Sequence, residues 1–200
     1  MGIFRQSAPL IMLHRVSCAA MKAAALMLLL CAVNLVSSQQ PNSKAANDST
    51  LTQTAKLLGI FGGTWSIAEM YDPSDSMPHG GTGSGQEIWH AGPGERSVIE
   101  EYRSTSSTGF GLGWWEAESA GFRLNWCSDD DPHGCTRLSE VATWQANTWV
   151  VRHTGRENGQ DFEFKEVFSD ITPNSFTQTL YQGPPGKLRR FLTIKATRVK

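Results

Sequence analysis

The sequence lacks an excess of basic residues. Its 18 Lys and Arg residues are slightly outnumbered by 19 Asp and Glu residues, which gives a formal net charge of −1. Residues 1–38, which we interpret below as a leader, contain three of the basic residues and no acidic ones, so without them the charge becomes 15 − 19 = −4. Nucleic acids and anionic membranes attract proteins with a basic field. We therefore predict neither of them as a partner.

Common catalytic and cofactor motifs are missing as well. The chain has no Gly-x-Ser-x-Gly elbow, no His-Glu-x-x-His pair and no evident catalytic triad. The glycine-rich stretch 81–85 is not followed by the Lys and the helix that a phosphate-binding loop requires. We expect no catalysis and no resident cofactor.

The chain also lacks an apolar run of the ~20 residues that a transmembrane helix needs. It has instead a basic residue, a shorter apolar stretch at 23–36, and small residues up to Ser38. This order is typical of a removable signal peptide. We predict that residues 1–38 are a signal peptide and that the mature protein is secreted or periplasmic, with no stable membrane span. Met21 is a second candidate for the start of translation, and a retained anchor is the alternative to cleavage.

Beyond the leader, the sequence pattern predicts one domain. Residues 39–49 are polar and predict a disordered linker. Thr50 begins a sequence with the form of a helix capping box, and Gly59 predicts the end of that short helix. Short alternating strands then recur every 8–12 residues, after a long connection at 72–85. We predict an all-β domain at 50–200, with about ten antiparallel strands and the helix covering one end.

Two residues at the ends of this domain carry a family resemblance. Gly63-Thr64-Trp65 opens the first strand, and Arg198 lies near the end of the last one. With the preceding helix and the run of strands, residues 50–200 resemble the calycin superfamily, and more narrowly an uncharacterised bacterial family of lipocalin-like domains. The resemblance implies an up-and-down β-barrel whose base is closed by Trp65 stacked against Arg198. Such a cation–π contact contributes ~0.5–2 kcal/mol, depending on how far the pair is removed from water.

The seven tryptophans all follow the predicted leader. Lipocalin-like barrels often hold a ligand in a partly empty interior, so the resemblance implies a small apolar or amphipathic ligand in a monomer or weak dimer. Two interpretations of the indole rings remain open, because they can fill a core or line a pocket. The candidate ligand-binding residues are Trp65, Trp89, Trp115, Trp126 and Arg190.

Arg190 is the candidate polar anchor for such a ligand. On a regular strand it shares a face with Leu192 and Arg198. If that face is interior, the buried cation needs an acidic partner. That partner is either an acidic group of the ligand or a carboxylate of the protein such as Glu166, and we favour the protein carboxylate.

Cys127 and Cys135 flank a turn that contains three aspartates and His133. In an exported protein such a pair predicts a disulfide. A metal site and two free thiols are the alternatives, but metal hairpins usually have two to four residues between their cysteines, and here there are seven. We predict a disulfide and no metal.

Two other functions remain open at this stage. An enzyme could use His79, His90 or His153 at the barrel mouth as acid–base groups, with a bound metal or haem. The last two predicted strands contain no His, which argues against haem. The other alternative is a filled barrel that acts as an envelope or stress interaction protein.

Overall fold

The structure is a computed structural model that describes residues 43–75, 77–130, 134–157 and 159–200. The predicted signal peptide and the first four residues of the predicted linker lie outside these residues. So does His133. All statements below concern the described residues.

The described chain contains one α-helix, one short 3₁₀ turn at Pro93–Glu95 and eleven β-strands. The helix is α1 (Ser43–Phe61). The strands are β1 (Gly63–Tyr71), β2 (Gly81–Ala91), β3 (Ser97–Ser104), β4 (Thr108–Glu116), β5 (Gly121–Ser128), β6 (Cys135–Arg137), β7 (Thr143–Gln145), β8 (Thr148–Glu157), β9 (Gln160–Ser169), β10 (Ser175–Gly183) and β11 (Arg189–Arg198).

All eleven strands form one antiparallel sheet. Its order is β6-β5-β4-β3-β2-β1-β11-β10-β9-β8-β7, so neighbouring strands follow one another in the chain except where β1 pairs with β11. The sheet curls into a half-barrel. The prediction of an all-β, up-and-down antiparallel domain is confirmed. The count differs from about ten, because the chain between β5 and β8 contains two strands of only three residues each.

The segment between β6 and β7 links the two edges of this sheet. Phe122 on β5 and Ala142 exchange two backbone hydrogen bonds of 2.9 and 2.7 Å. On the opposite side, the Ser139 amide donates to His153 Nδ1 on β8 at 2.9 Å. Residues 138–142 therefore hydrogen-bond to both β5 and β8.

An aromatic core lies where α1 ends. Phe61 is fully buried at the last residue of the helix. Its ring lies 5.2–5.7 Å, centroid to centroid, from four buried rings on four strands, namely Trp89, Trp149, Phe168 and Phe176. A lone helix gains most of its stability from such packing. The helix is therefore anchored through its C-terminal end.

The helix begins earlier than predicted. It starts at Ser43, so residues 43–49 of the predicted linker are helical and Thr50 lies inside the helix rather than at its cap. The stretch contains Lys44, Ala45 and Ala46, which favour helix, whereas its polar composition suggested disorder. Gly59 is also helical, and the helix ends at Phe61. No helical segment described by the structure is long and apolar enough to cross a bilayer.

The predicted connection at 72–85 is shorter than expected, because β2 begins at Gly81. Gly83 lies directly opposite Glu69 on β1. A Cβ atom at Gly83 would overlap the Glu69 carboxylate. Glycine at position 83 therefore leaves room for the inward-facing Glu69 side chain. The sequence pattern had indicated a loop at this position.

Candidate functional site

A cavity of about 370 Å³ lies inside the curled sheet. Its aromatic wall comes from strands on both sides of the half-barrel. The aromatic residues that line it include Trp89, Tyr102, Trp126, Phe162, Phe164 and Phe191. Its polar lining includes Glu69, Glu100, Asn125, His153, Glu166 and Gln178.

Inward-facing glycines on β4 leave room for this cavity. Gly109, Gly111 and Gly113 are buried and alternate with outward or partly exposed residues. A Cβ atom at Gly109 would overlap the Trp126 ring. One at Gly111 would lie 3.0 Å from Glu100 Oε2 and 3.5 Å from the Trp126 ring. Any larger side chain at 111 would therefore extend into the space beside these two groups.

Three carboxyl groups from three strands converge next to this space. Glu87 on β2 is 0 % exposed and accepts a hydrogen bond from Trp89 Nε1. Glu100 on β3 lies close enough to Glu87 for each carboxyl to affect the pKa of the other. Glu166 on β9 accepts a hydrogen bond from Gln178 Nε2. We call Glu87, Glu100 and Glu166 the carboxyl cluster.

Burial makes this cluster hold protons at neutral pH. Removal from water, together with the negative charge of Glu166, raises the pKa of Glu87 to about 8, although the hydrogen bond from Trp89 acts in the opposite direction. Burial also raises the pKa of Glu100 well above its ordinary value, with Glu87 and Glu166 adding to the shift. Burial raises the pKa of Glu166 to about 7. None of the described residues that line the cavity is a Lys or Arg, so no protein cation balances these groups.

Glu69 lies at a different part of the cavity and is well supplied with donors. It accepts hydrogen bonds from Tyr102 Oη, from Tyr71 Oη at 3.2 Å and from Ser106 Oγ at 3.0 Å. Burial, followed by the contact with Glu69, raises the pKa of Tyr102, so its phenol stays protonated and keeps donating. Glu69 therefore has its partners within the protein, unlike the carboxyl cluster.

Two amide oxygens in the cavity lining have no hydrogen-bond partner among the described residues. These are Gln178 Oε1 and Asn125 Oδ1. Gln178 is only 4 % exposed. A buried acceptor without a partner destabilises a protein by ~1–3 kcal/mol. These two oxygens can accept hydrogen bonds from a molecule in the cavity.

The three candidate acid–base histidines do not come together. His153 lines the cavity, packs edge-on against Phe162 at 5.6 Å and accepts a hydrogen bond at Nδ1, so its proton is on Nε2. Burial lowers the pKa of His153. His90 lies on the outer face beside Glu101 at 3.3 Å, and His79 is in the exposed loop before β2. In the described part of the chain, no three His, Cys, Asp or Glu side chains are placed to hold a metal ion.

The four candidate tryptophans divide between the cavity and the core. Trp89 and Trp126 line the cavity. Trp65 and Trp115 do not line it. Trp65 is fully buried at the base, and Trp115 packs edge-on against Phe122 at 5.5 Å.

Arg190 does not line the cavity, which corrects its prediction as the polar anchor. Its guanidinium is 54 % exposed and binds the Asp72 carboxylate through two hydrogen bonds of 2.8 and 3.1 Å. The cause is a β-bulge, since Leu180 pairs with Leu192 while Tyr181 pairs with Arg190. The extra residue in β11 breaks the regular alternation on which the prediction depended.

The structure brings Trp65 and Arg198 together. The Arg198 guanidinium lies 4.0 Å from the centroid of the Trp65 ring. It also donates to the carbonyls of Gly62 and Ile60, while Trp65 Nε1 donates to the Phe61 carbonyl at 2.6 Å. Three successive carbonyls at the end of α1 thus receive hydrogen bonds from β1 and β11.

Cys127 and Cys135 form a disulfide, as predicted. They are directly paired across β5 and β6. Within the turn, Asp129 accepts a hydrogen bond from the Thr108 amide at 2.8 Å. The disulfide therefore fixes the short edge strand β6 to the neighbouring strand β5.

The sequence analysis missed most of the carboxyl groups that face inward. A signal for them was present, because Glu69 follows Trp65 and Ile67 at two-residue spacing, and Glu166 follows Phe162 and Phe164 in the same way. Glu100 and Glu101 are neighbours on β3 and face opposite ways. Glu100 lines the cavity, whereas Glu101 pairs with exposed His90 and Arg103.

Comparison with known proteins does not place the chain in a family. No protein-family model matches it, and no curated protein matches it. The cavity and its lining are therefore the features from which a function can be inferred.

Proposed function

We propose that this protein is an exported, calycin-like module that binds a small amphipathic molecule inside the barrel and carries out no catalysis. The observation that carries the proposal is the cavity of about 370 Å³, with aromatic walls and buried polar atoms that lack partners. Small-molecule sites typically have volumes of ~300–1,000 Å³, mostly apolar walls and a few polar groups that orient the ligand.

Three features support the calycin-like part of the proposal. The strands follow an up-and-down order, and the end of α1 packs into one end of the sheet. Arg198 covers Trp65 at that end. Residues 138–142 hydrogen-bond to both edges, as a barrel closed around its interior requires.

Export is supported by two independent features. The sequence at 1–38 has the order of a signal peptide. The disulfide between Cys127 and Cys135 is a bond that persists in oxidising compartments. We propose a secreted or periplasmic location on these grounds.

A ligand-binding interior is favoured over a filled barrel because the aromatic residues do not occupy all of it. Trp65, Trp149, Phe168 and Phe176 pack with Phe61 at the closed end. Trp89 contacts Phe61 and also lines the cavity, and Trp126 lies along the remaining space. A barrel filled throughout would leave no space of this size between them.

Tryptophan fluorescence can test the proposal because two indoles line the cavity. We expect saturable changes on titration with at least one of three probes of equal length, 4-phenylbutylamine, 4-phenylbutan-1-ol and 4-phenylbutyrate. Gly111→Leu should abolish the change by filling the space beside Trp126. Phe110→Leu, on the outer face of the same strand, is the matched control and should bind as the native protein does. The absence of binding for all three probes, or unchanged binding by a folded Gly111→Leu variant, would contradict the proposal.

A further inference from the structure

We infer that the cavity recognises a protonated amine with an apolar body, whose ammonium group binds between Glu100, Glu166 and Gln178. This inference rests on the proposed function, because it names the class of molecule that the same cavity binds. It is drawn from the balance of donors and acceptors, the charge of the lining and the aromatic wall.

The polar lining beside the carboxyl cluster offers acceptors and has few donors to spare. Gln178, which donates to Glu166, has no partner at its own oxygen Oε1, and elsewhere in the lining Asn125 Oδ1 also lacks a partner among the described residues. The nearby donors are already engaged, since Trp89 Nε1 donates to Glu87, Gln178 Nε2 to Glu166 and Tyr102 Oη to Glu69. An ammonium group has three donors and no acceptor. It therefore supplies what this part of the cavity lacks.

The charge of the lining favours the same ligand. Glu100 and Glu166 line the cavity, Glu87 interacts with both of them, and no Lys or Arg is present among the described lining residues. A cation placed beside these groups stabilises their ionised forms. An anionic ligand would be repelled by whichever of these carboxyls is ionised, with no cation to compensate, and an alcohol would offer a single donor to several acceptors.

The aromatic wall can hold both parts of such a molecule. Trp89 and Trp126 lie on one side of the cavity, and Phe162, Phe164 and Phe191 come from strands on the other side. Ring faces attract ammonium groups, most strongly for Trp. The remaining apolar surface fits a hydrocarbon or aryl body. The cavity therefore combines a cationic subsite with an apolar one.

Binding of a cation should release a proton from the cluster. The ammonium group enters with its charge, a protonated carboxyl of Glu166 or Glu100 ionises, and its proton passes to solvent. The binding constant should then increase with pH over the range in which the free cluster is still protonated, about pH 6.5 to 8.5. The pKa of Glu166, about 7, lies within this range.

Other titratable groups face the cavity from neighbouring elements. They are Glu69 and Tyr71 on β1, Tyr102 on β3, Asp130 after β5 and His153 on β8. Burial raises the pKa of both tyrosines and lowers that of His153, so these three stay neutral over the range named above. Glu69 is held by three hydroxyl donors.

Isothermal titration calorimetry of the native protein with the three phenylbutyl probes tests the inference. We expect the amine to bind at least about tenfold more tightly than the alcohol, and the carboxylate to bind most weakly. Affinity for the amine should rise between pH 6.5 and 8.5, and the heat should depend on the buffer because a proton is released. The alcohol should show neither effect.

Two variants assign the effect to the cluster. Glu166→Gln should weaken amine binding about tenfold or more and leave alcohol binding intact, which also reports that the variant is folded. Glu101→Gln, on the outer face of β3, should leave both affinities unchanged. Equal or tighter binding of the alcohol or the carboxylate would overturn the amine inference and leave the proposed function standing. Unchanged amine binding by Glu166→Gln would do the same, whereas no binding of any probe would overturn both.

Discussion

At the scale of single residues, Glu87 is the most unusual group in the molecule. It is completely buried, one of its oxygens accepts a hydrogen bond from the Trp89 indole, and the other has no hydrogen-bond partner among the described residues. An isolated charge in such a place is strongly disfavoured, so the carboxyl keeps its proton instead. Its pKa therefore rises from 4.5 to about 8.

This burial predicts that the protein becomes less stable as the pH rises. Above about pH 4.5 the unfolded chain releases the proton of Glu87, while the folded protein keeps it until about pH 8. The free energy of unfolding should fall across this window, since each unit of pKa difference corresponds to ~1.4 kcal/mol. Glu166 adds to the fall between 4.5 and about 7. Urea unfolding at several pH values measures it.

Glu87→Gln keeps an acceptor for Trp89 and removes the titration. We expect the variant to match the native protein near pH 5 and to be more stable by about 3–4 kcal/mol near pH 8. Glu101→Gln on the outer face serves as the control and should follow the native curve. Equal pH dependence of Glu87→Gln and the native protein would show that Glu87 does not hold its proton.

Residue types and spacing predicted some of the site. Trp89 and Trp126 were candidates for the cavity wall and line it. The inward Glu166 could have been found from the alternation of Phe162 and Phe164, but which face is interior depends on pairing with other strands. The outward position of Arg190 could not be predicted, because the bulge beside it is a property of the pairing between β10 and β11.

At the scale of elements, Arg198 of the last strand connects that strand to the end of α1, at the end of the sheet where Phe61 is buried. Arg198 stacks on Trp65 and donates to two carbonyls at the end of the helix, while a third bond reaches the Pro173 carbonyl at 2.7 Å. A cation at the C-terminal end of a helix also interacts favourably with the helix dipole. One side chain thus joins the helix to both β1 and β11.

Arg198→Lys should show how much of the stability from these contacts depends on the guanidinium group. Lysine keeps the charge but cannot stack flat and serve three carbonyls at once, so we expect a loss of about 2 kcal/mol in the free energy of unfolding. Arg190→Lys is the matched control on the same strand, where an exposed ion pair with Asp72 contributes at most ~1 kcal/mol. Chemical unfolding of both variants gives the comparison. A similarly small loss of unfolding free energy for both variants would mean that the contacts of Arg198 with Trp65 and the helix end contribute little to stability.

The elements were predicted better in type than in extent. Alternating apolar residues predicted the strands, and the residues before Gly63 predicted a helix. Residues 43–49 were predicted to be linker because polar composition does not by itself distinguish a helix from a disordered chain. Gly81–Gly85 was read as loop because glycine is rare in strands, except where a neighbouring group needs the space.

At the scale of the whole molecule, the sheet depends on residues 138–142 to join its edges. Edge strands expose unpaired backbone groups, and β6 and β7 are each only three residues long. The exchange of hydrogen bonds between Phe122 and Ala142 satisfies backbone groups on both sides. This link holds β5 beside the start of β7.

Ala142→Pro should open this link. Proline removes the amide that donates to the Phe122 carbonyl, so we expect a loss of about 3 kcal/mol in the free energy of unfolding and stronger binding of a hydrophobic dye. Ala142→Gly keeps the amide and is the control, with a smaller loss from the removed methyl group. Identical losses in the two variants would indicate that the bridge does not hold the edges together.

The glycines on the inner face of β4 have a consequence for the range of molecules that the protein can accept. Trp126 fills the space over Gly109 and Leu124 the space over Gly113, whereas Gly111 faces Glu100 and the edge of the cavity. A methyl or isopropyl group at 111 would narrow the cavity there, with a small shift of the Glu100 side chain to make room for it. The variants Gly111→Ala and Gly111→Val would then exclude the bulkiest ligands first. The ligands that each variant no longer binds would indicate the shape of the natural ligand.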